Sequence, residues 1–266
     1  MELSSIVLSG LYRGIIVIGD IHNQVNHLKQ AVEFAEENGL FIVLLGDLFD
    51  GGQYPYEVSQ LVCGLLRDDK AVFTIGNHDD KIYRYSLGNK VKLNHDQLDT
   101  FLRVGDENMS KFLDNVSFIV NHKNSGLCHR FSDQAIFVHA AVHQSLWEND
   151  VMHSAAKAMC LYGEVDGTRD ERGFPIRTYQ WINFVPSGKY VVVGHDRTAL
   201  GKTHTMPAML CTNQGGRVIF ADSSCGKEQD GPLTGVVFTM DKLNLIFNSF
   251  RLFAGCNDEA VSRSIE

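Results

Sequence analysis

"FIVLLGDLFDGG", residues 41–52, is an apolar run that ends on two aspartates, Asp47 and Asp50, set among glycines. A half-exposed strand alternates apolar and polar residues, whereas a continuous apolar run reads as a strand buried on both faces. Closing such a strand takes one Gly or Asp, not this density of both. The pattern recurs on either side. "GIIVIGD" (14–20) is an apolar strand that ends on Asp20, and "AVFTIGNHDD" (71–80) is a third strand with its exit. Two amphipathic stretches lie between them. "NQVNHLKQAVEFAEENG" (23–39) puts Val25, Leu28, Ala31, Val32 and Ala35 at helical spacing, with Gly39 as C-cap. "PYEVSQLVCGLLRDD" (55–69) is the second helix, with Pro55 near its start. Strand–helix–strand–helix–strand implies a parallel sheet with right-handed crossovers.

Beyond residue 80 the chain reads as mostly helical and polar to about 113, then as strand-like runs at 116–121 and 134–140. A helical patch at 145–160 follows. The Gly- and charge-rich loop "YGEVDGTRDERGFPIR" (162–177) separates the two halves. Runs at 189–196, 216–226, 233–240 and 243–250 read as strands, the last two as a hairpin. The expectation is one α/β domain over residues 1–255 with two mixed β-sheets, and a frayed tail at 256–266.

Composition narrows the function classes. Apolar residues make up 44 % of 266, enough for a sizeable core. The formal net charge of −8 is unlike that of a basic nucleic-acid binder, which needs clustered Lys and Arg against phosphates. It leaves room for an enzyme that acts on nucleic-acid ends one phosphate at a time. The six cysteines include no CxxC pair and read as reduced thiols of a cytoplasmic protein. No signal peptide and no apolar run of about 18 residues is legible, so no membrane span is expected.

The chemistry sits where the strands end. Asp20 and His22, then Asp47 with Asp50, then Asn77 and His78, then His139, then His195 each follow an apolar run. Sites of open α/β sheets lie at the carboxyl ends of strands. Taken singly, a Gly-Asp-x-His is as readily a turn, and a lone His beside a strand is more often a satisfied core histidine. It is the conjunction that points to a metal site. Carboxylate, imidazole and amide ligands without thiolate suit Mn, Fe or Zn. Six candidate ligands, Asp20, His22, Asp47, Asn77, His139 and His195, exceed one tetrahedral ion and suit two ions sharing a bridge.

In order, "GDIHN", "GDLFDGG", "GNHDD", His139 and "GHD" resemble the motifs of the calcineurin-like metallophosphoesterases, over roughly residues 14–240. That resemblance implies a four-layer αββα sandwich and two divalent metals, most readily Mn, with Fe, Zn, Ni or Co as alternatives. It implies hydrolysis of phosphate esters by in-line attack of a metal-bridging hydroxide. Asp20 and His22 are then ligands of the first metal, Asp47 the bridge, and Asn77, His139 and His195 ligands of the second. His78 contacts phosphate and protonates the leaving oxygen, and Asp50 holds His78. Three stretches, 76–101, 162–177 and 219–226, are similar to the phosphatase module of bacterial polynucleotide kinase-phosphatase, and more distantly to Ser/Thr protein phosphatases. That narrower likeness places Asp222 near the site and suggests RNA or nucleotide ends as substrate: a 3′-phosphate, a 2′-phosphate or a 2′,3′-cyclic phosphate.

The chain also departs from the family's pattern. Where the family has Asp-Arg-Gly, with the Arg clamping phosphate, this chain has Asp50-Gly51-Gly52. Ala140 and Ala141 follow His139 where the protein phosphatases have two glycines. Three cations are candidates to replace the missing Arg: Arg177 first, then Arg84 and Arg197. Without a replacement, selectivity for monoesters should weaken relative to diesters. "DRTALGKT" (196–203) imitates a phosphate loop but begins on Asp196, and the following Pro207 spoils the helix such a loop needs. Other functional readings are a Ser/Thr protein phosphatase, a dinucleoside polyphosphate hydrolase such as a symmetrical diadenosine tetraphosphatase, and a silent scaffold that kept the fold.

Overall fold

A computed structural model of the chain describes residues 4–148, 150–171, 173–199, 206–227 and 231–254. Strands β1 (Ser4–Ser5) and β2 (Gly14–Ile18) lead into α1 (Val25–Asn38), β3 (Leu40–Leu44), α2 (Pro55–Arg67) and β4 (Ala71–Thr74). Helices α3 (Asn77–Ser86), α4 (His95–Val104) and α5 (Asp106–Asn121) follow, then β5 (Ser125–Gly126), β6 (Cys128–Phe131) and β7 (Ala135–Val138). The second half carries α6 (Ser145–Glu148), α7 (Ser154–Tyr162), the pair β8 (Val165–Arg169) and β9 (Pro175–Arg177), and a short 3-10 helix at Gln180–Phe184. It ends with β10 (Tyr190–Val193), β11 (Ala208–Cys211), β12 (Arg217–Phe220), β13 (Leu233–Asp241) and β14 (Asn244–Phe253).

Two mixed sheets result. One runs β14-β13-β2-β3-β4-β5, with β2 to β5 parallel and the β13–β14 hairpin antiparallel at its edge. The other runs β1-β6-β7-β10-β12-β11, with β7, β10 and β12 parallel. Strand alternation sorts the core into layers. Ile15, Val17 and Val43 of the first sheet pack on Phe137, Val192 and Ile219 of the second, in a cluster without helix residues. Their neighbours Ile16, Ile18, Ile42 and Leu44 point the other way, toward Leu28, Val58, Val62 and Val116 of the helices. On the outer face of the second sheet, Val191, Val193 and Phe220 belong with Cys160 of α7 and Trp181. Helices therefore flank both sheets. Each fully buried large side chain contributes about 1.5–3 kcal/mol.

Helix α1 buries Val25, Leu28, Ala31, Val32 and Ala35, and Gly39 closes it in the left-handed region at φ 63°, both as its spacing predicts. Pro55 opens α2. One expectation is corrected: residues 116–121 are not a strand but the last turns of α5, whose Phe112, Val116, Ile119 and Val120 are buried. Their i, i+4, i+7, i+8 spacing is helical, and packing on α2 outweighs the β-branched composition of the run. The loop at 162–177 also carries structure, the exposed β8–β9 pair. The expected tail at 256–266 lies outside the described residues. Among those described, no helix is long and apolar enough to cross a membrane.

Candidate metal centre

The carboxyl ends of β2, β3, β4, β7 and β10 meet at one place between the sheets' edges. Crosslinks between their loops hold it: His22 N and Ile21 N donate to Asp47 O at 3.0 and 3.1 Å, and Gly194 N donates to His139 O at 2.9 Å. Several of the residues there adopt left-handed backbone, with φ of 46° at His22, 46° at Asp47, 75° at Asp50 and 64° at His195. Such conformations cost of order 1–3 kcal/mol each and survive only where surroundings enforce them. Gly194 shows why the preceding glycine is needed: a Cβ there would run into the Asp20 carboxylate. Instead His195 N donates to both Asp20 oxygens at 3.0 Å.

Two groups that could each hold a metal ion share Asp47. One is Asp20, His22 and Asp47, the other Asp47, His139 and His195, each with donor atoms within 4.8 Å of one another. Hydrogen bonding fixes which ring atoms face inward. His22 Nδ1 donates to Phe49 O at 3.0 Å, which leaves the Nε2 lone pair toward Asp20 Oδ2 at 3.8 Å. His139 Nδ1 donates to Leu45 O at 2.7 Å. Its Nε2 lone pair then faces Asn77 Oδ1 and His195 Nδ1, both at 3.0 Å, and Asp47 Oδ1 at 3.4 Å. Electron-rich atoms that converge with few protons between them are a cation's surroundings, and backbone carbonyls holding the opposite ring nitrogen are the usual support. The donor set therefore fits divalent ions.

Electrostatics agree. Burial, then Asp222 and Asp47, push the Asp20 carboxyl well above the ordinary carboxylate range. Burial likewise raises Asp222, whose Oδ1 accepts from Ser224 N at 2.9 Å. Burial holds His22, His139 and His195 below the ordinary histidine value, toward the neutral form a metal needs. Asp47 is the exception: burial opposes its charge, but His139, His78, His22 and His195 outweigh burial and hold it low.

His78 stands beside the cluster at the start of α3. Its backbone N donates to Asp47 Oδ1 at 3.1 Å, and its Nε2 lies 3.8 Å from Asp47 Oδ2. Nδ1 is hydrogen-bonded to Asp50 Oδ2. Burial opposes charge on His78, yet Asp47 and the bond to Asp50 hold it at about 9. Asp50 is wholly buried and also accepts from Gln97 Nε2 at 2.5 Å and Thr100 Oγ1 at 3.2 Å. Sequence reasoning missed Gln97 and Thr100. The available signal was "NHDQ" (94–97), a capping box in which Gln97 Oε1 accepts from Asn94 N at 2.9 Å while its amide serves Asp50.

The three candidate cations are placed differently. Arg177, at the end of β9, reaches His195 Nε2 at 2.9 Å and pairs with Asp196 Oδ1 at 2.7 Å. Tyr179 Oη donates to Asp196 Oδ2 at 2.7 Å. Arg84 pairs with Asp80 at 3.4 Å on the exposed side of α3. Arg197 is half-buried next to Asp196. A fourth cation, Lys227, was not singled out from the sequence and lies near Asp20, His22 and Asp222.

The fold is that of solved phosphoesterases. A candidate diadenosine tetraphosphatase is 16 % identical, with 96 % of this chain and 99 % of that one covered at TM-score 0.57. A protein serine/threonine phosphatase from Saccharomyces cerevisiae with similarity to human phosphatase PP5 is also 16 % identical, covering 98 % of this chain and 86 % of that one at TM-score 0.55. In sequence, the asymmetrical bis(5′-nucleosyl)-tetraphosphatase PrpE of Oceanobacillus iheyensis is 28 % identical over 67 % of this chain and 75 % of its own length. The PrpE protein of Halalkalibacterium halodurans is 25 % identical over 67 % of this chain and 76 % of its own. The calcineurin-like phosphoesterase model matches residues 14–197, which take in Asp20, His22, Asp47, Asn77, His78, His139 and His195. The chain belongs to the calcineurin-like phosphoesterases, hydrolases of phosphoesters.

Proposed function

We propose that this phosphoesterase works with two divalent ions, most readily Mn, on nucleotide substrates, dinucleoside tetraphosphates first among them. The observation that carries the two-ion reading is the sharing of Asp47 between two ligand groups. Asp20, His22 and Asp47 would hold one ion, and Asp47, Asn77, His139 and His195 the other. When bound, the pair supplies positive charge at the phosphoryl group and a nucleophile at neutral pH.

The chain's own side chains do the rest. His78 commits Nδ1 to Asp50, so Nε2 remains to hand a proton to the leaving oxygen. Gln97 and Thr100 fix Asp50, and hence the ring. A guanidinium only donates, so Arg177 needs the lone pair of His195 Nε2. If His195 were to ligate through Nδ1, its proton would shift to Nε2, and Arg177 would keep Asp196 while its remaining N–H groups turned to a phosphoryl oxygen.

The nucleotide preference is supported by the tetraphosphatase relatives. A second reading, phosphate removal from RNA ends, is favoured by the β8–β9 stretch that brings in Arg177, since that stretch is similar to the polynucleotide module. The deciding assay compares diadenosine tetraphosphate, a 3′-phosphorylated oligonucleotide and a phosphopeptide with Mn present. The expected result is fastest turnover of the tetraphosphate. Preference for the oligonucleotide would install the second reading, and preference for the phosphopeptide would overturn both.

A further inference from the structure

The family's Arg is missing at residue 51, and the backbone shows why no side chain can stand there. Gly51 has φ 108°, and a Cβ on it would lie 2.5 Å from Gly226 O and 3.5 Å from His22 Cβ. The space is taken by the turn that follows Asp222. Cys225 anchors that turn: it is 1 % exposed, with Sγ 3.8 Å from Ile21 O and 3.7 Å from His27 Nδ1. Gly226 presses on His22, where a Cβ would meet the His22 carbonyl at 2.6 Å. The turn is closed by Lys227 N donating to Ser224 O at 3.2 Å. The residue it delivers is Lys227.

We propose that Lys227 is the phosphate-binding cation that stands in for the absent family Arg, donating from Nζ to a phosphoryl oxygen on the Asp20–His22 side of the site. The inference rests on the phosphoesterase reading and completes it: Arg177 approaches from the His195 side and Lys227 from the other. Lys227 is only 18 % exposed, and its ion pair among the described residues is with half-exposed Asp96 at 4.0 Å, the limit of such a contact. Its stem is mostly covered while its ammonium has only this loose partner, so N–H donors remain for an arriving phosphate dianion. It lies close to Asp20, His22, His78 and Asp222.

The test uses the full chain at saturating Mn, comparing wild type with Lys227→Ala and Lys227→Arg. The monoester p-nitrophenyl phosphate carries two charges to satisfy, whereas bis-p-nitrophenyl phosphate carries one. Lys227→Ala should lower kcat/KM for the monoester about 10- to 100-fold and leave the diester within about threefold. Orthophosphate binding, measured by calorimetry on the metal-loaded protein, should weaken in step with the monoester. Lys227→Arg should recover most of both. Equal losses on the two esters overturn the proposal. So does an activity loss that follows metal affinity while orthophosphate binding is unchanged. If wild type hydrolyses neither ester, the phosphoesterase reading fails by itself, and the calorimetric arm still decides Lys227: equal phosphate binding by wild type and Lys227→Ala, or none by either, overturns it.

Discussion

His129 lies on β6 and His139 at the end of β7, strands that are hydrogen-bonded to each other, and both rings are wholly buried. Around His129 the protein meets every need of a neutral imidazole. Nε2 donates to Phe73 O at 2.9 Å, and Nδ1 meets the Ser4 hydroxyl. Around His139 only Nδ1 is met, and Nε2 looks at Asn77, His195 and Asp47. Burial is therefore not what marks a candidate ligand histidine. The mark is an inward lone pair surrounded by other acceptors, with strained backbone at the neighbouring strand ends.

The largest test of that contrast is Asp47→Asn. Both ligand groups lose their shared charge, so kcat/KM on p-nitrophenyl phosphate should fall at least ~1000-fold, and bound metal by elemental analysis should fall with it. His129→Phe should do the opposite: metal content unchanged and the melting temperature lowered, because the Ser4 hydroxyl and Phe73 carbonyl lose their partner. Activity retained in Asp47→Asn would break the reading of the cluster.

The next effect is on stability against pH. Burial holds His129 down at about 4, although its bond to Phe73 favours the charged form. The unfolded chain carries this ring near the ordinary ~6.5. Above that value neither state binds the proton and the stability is intact. As pH falls from 6.5 toward 4, the unfolded state takes up a proton that the fold refuses, so stability drops, by about 3 kcal/mol once pH is below both values. Urea unfolding at pH 7, 5 and 4 should show this loss in wild type, and a smaller one in His129→Gln, which does not titrate. Parallel pH profiles would count against a satisfied neutral ring.

A smaller effect separates the ligands from their neighbours. Asp50 is hydrogen-bonded to His78, Gln97 and Thr100, all of them outside the two candidate metal groups. Asp50→Asn should therefore leave bound metal unchanged and lower kcat about 10- to 100-fold. The loss should be greater for an alkyl phosphate, whose leaving oxygen needs a proton, than for p-nitrophenyl phosphate, whose leaving group needs little help. Equal losses on both esters would remove His78 as the proton donor.

Much of this layout is legible before any coordinates, because each strand ends in its own short motif. Gly-Asp, Gly-Asn-His and Gly-His lie within a few residues of a long apolar run, and the period of α1 is plain. What escapes is whatever depends on contact across the chain. Strands β1, β5, β6 and β11 span two to four residues, too few to show alternation. The end of α5 carries β-branched residues whose helical spacing is overlooked when composition is read first. Gln97 and Thr100 look like solvent-facing helix residues until α4 is laid over Asp50. Lys227 sits in "GKEQ", ordinary surface sequence, and matters only because its turn fills the space at Gly51.

Arg177 and Arg84 make the finest comparison, since the residue type is held constant. Arg177 contacts His195 and Asp196 and is 30 % exposed, whereas Arg84 is 47 % exposed and paired with Asp80 one helical turn away. An exposed i,i+4 pair contributes about 0.3–0.5 kcal/mol, and its charges are screened by salt. Among the described residues Arg84 also acts on Tyr162, which is not a member of the cluster. Arg177→Ala should raise KM about 10-fold for a charged phosphate ester, since one charged donor to the substrate is lost. Arg84→Ala should leave kcat/KM within twofold and unfolding free energy within ~0.5 kcal/mol, as for a typical surface change. Steady-state kinetics at two salt concentrations check both: the Arg177 effect should persist at 0.5 M salt, beyond the reach of long-range steering, because it comes from a short contact. A drop in activity for Arg84→Ala that vanishes at high salt would mean that α3 steers substrate by charge, and the line drawn between the two arginines would have to move outward.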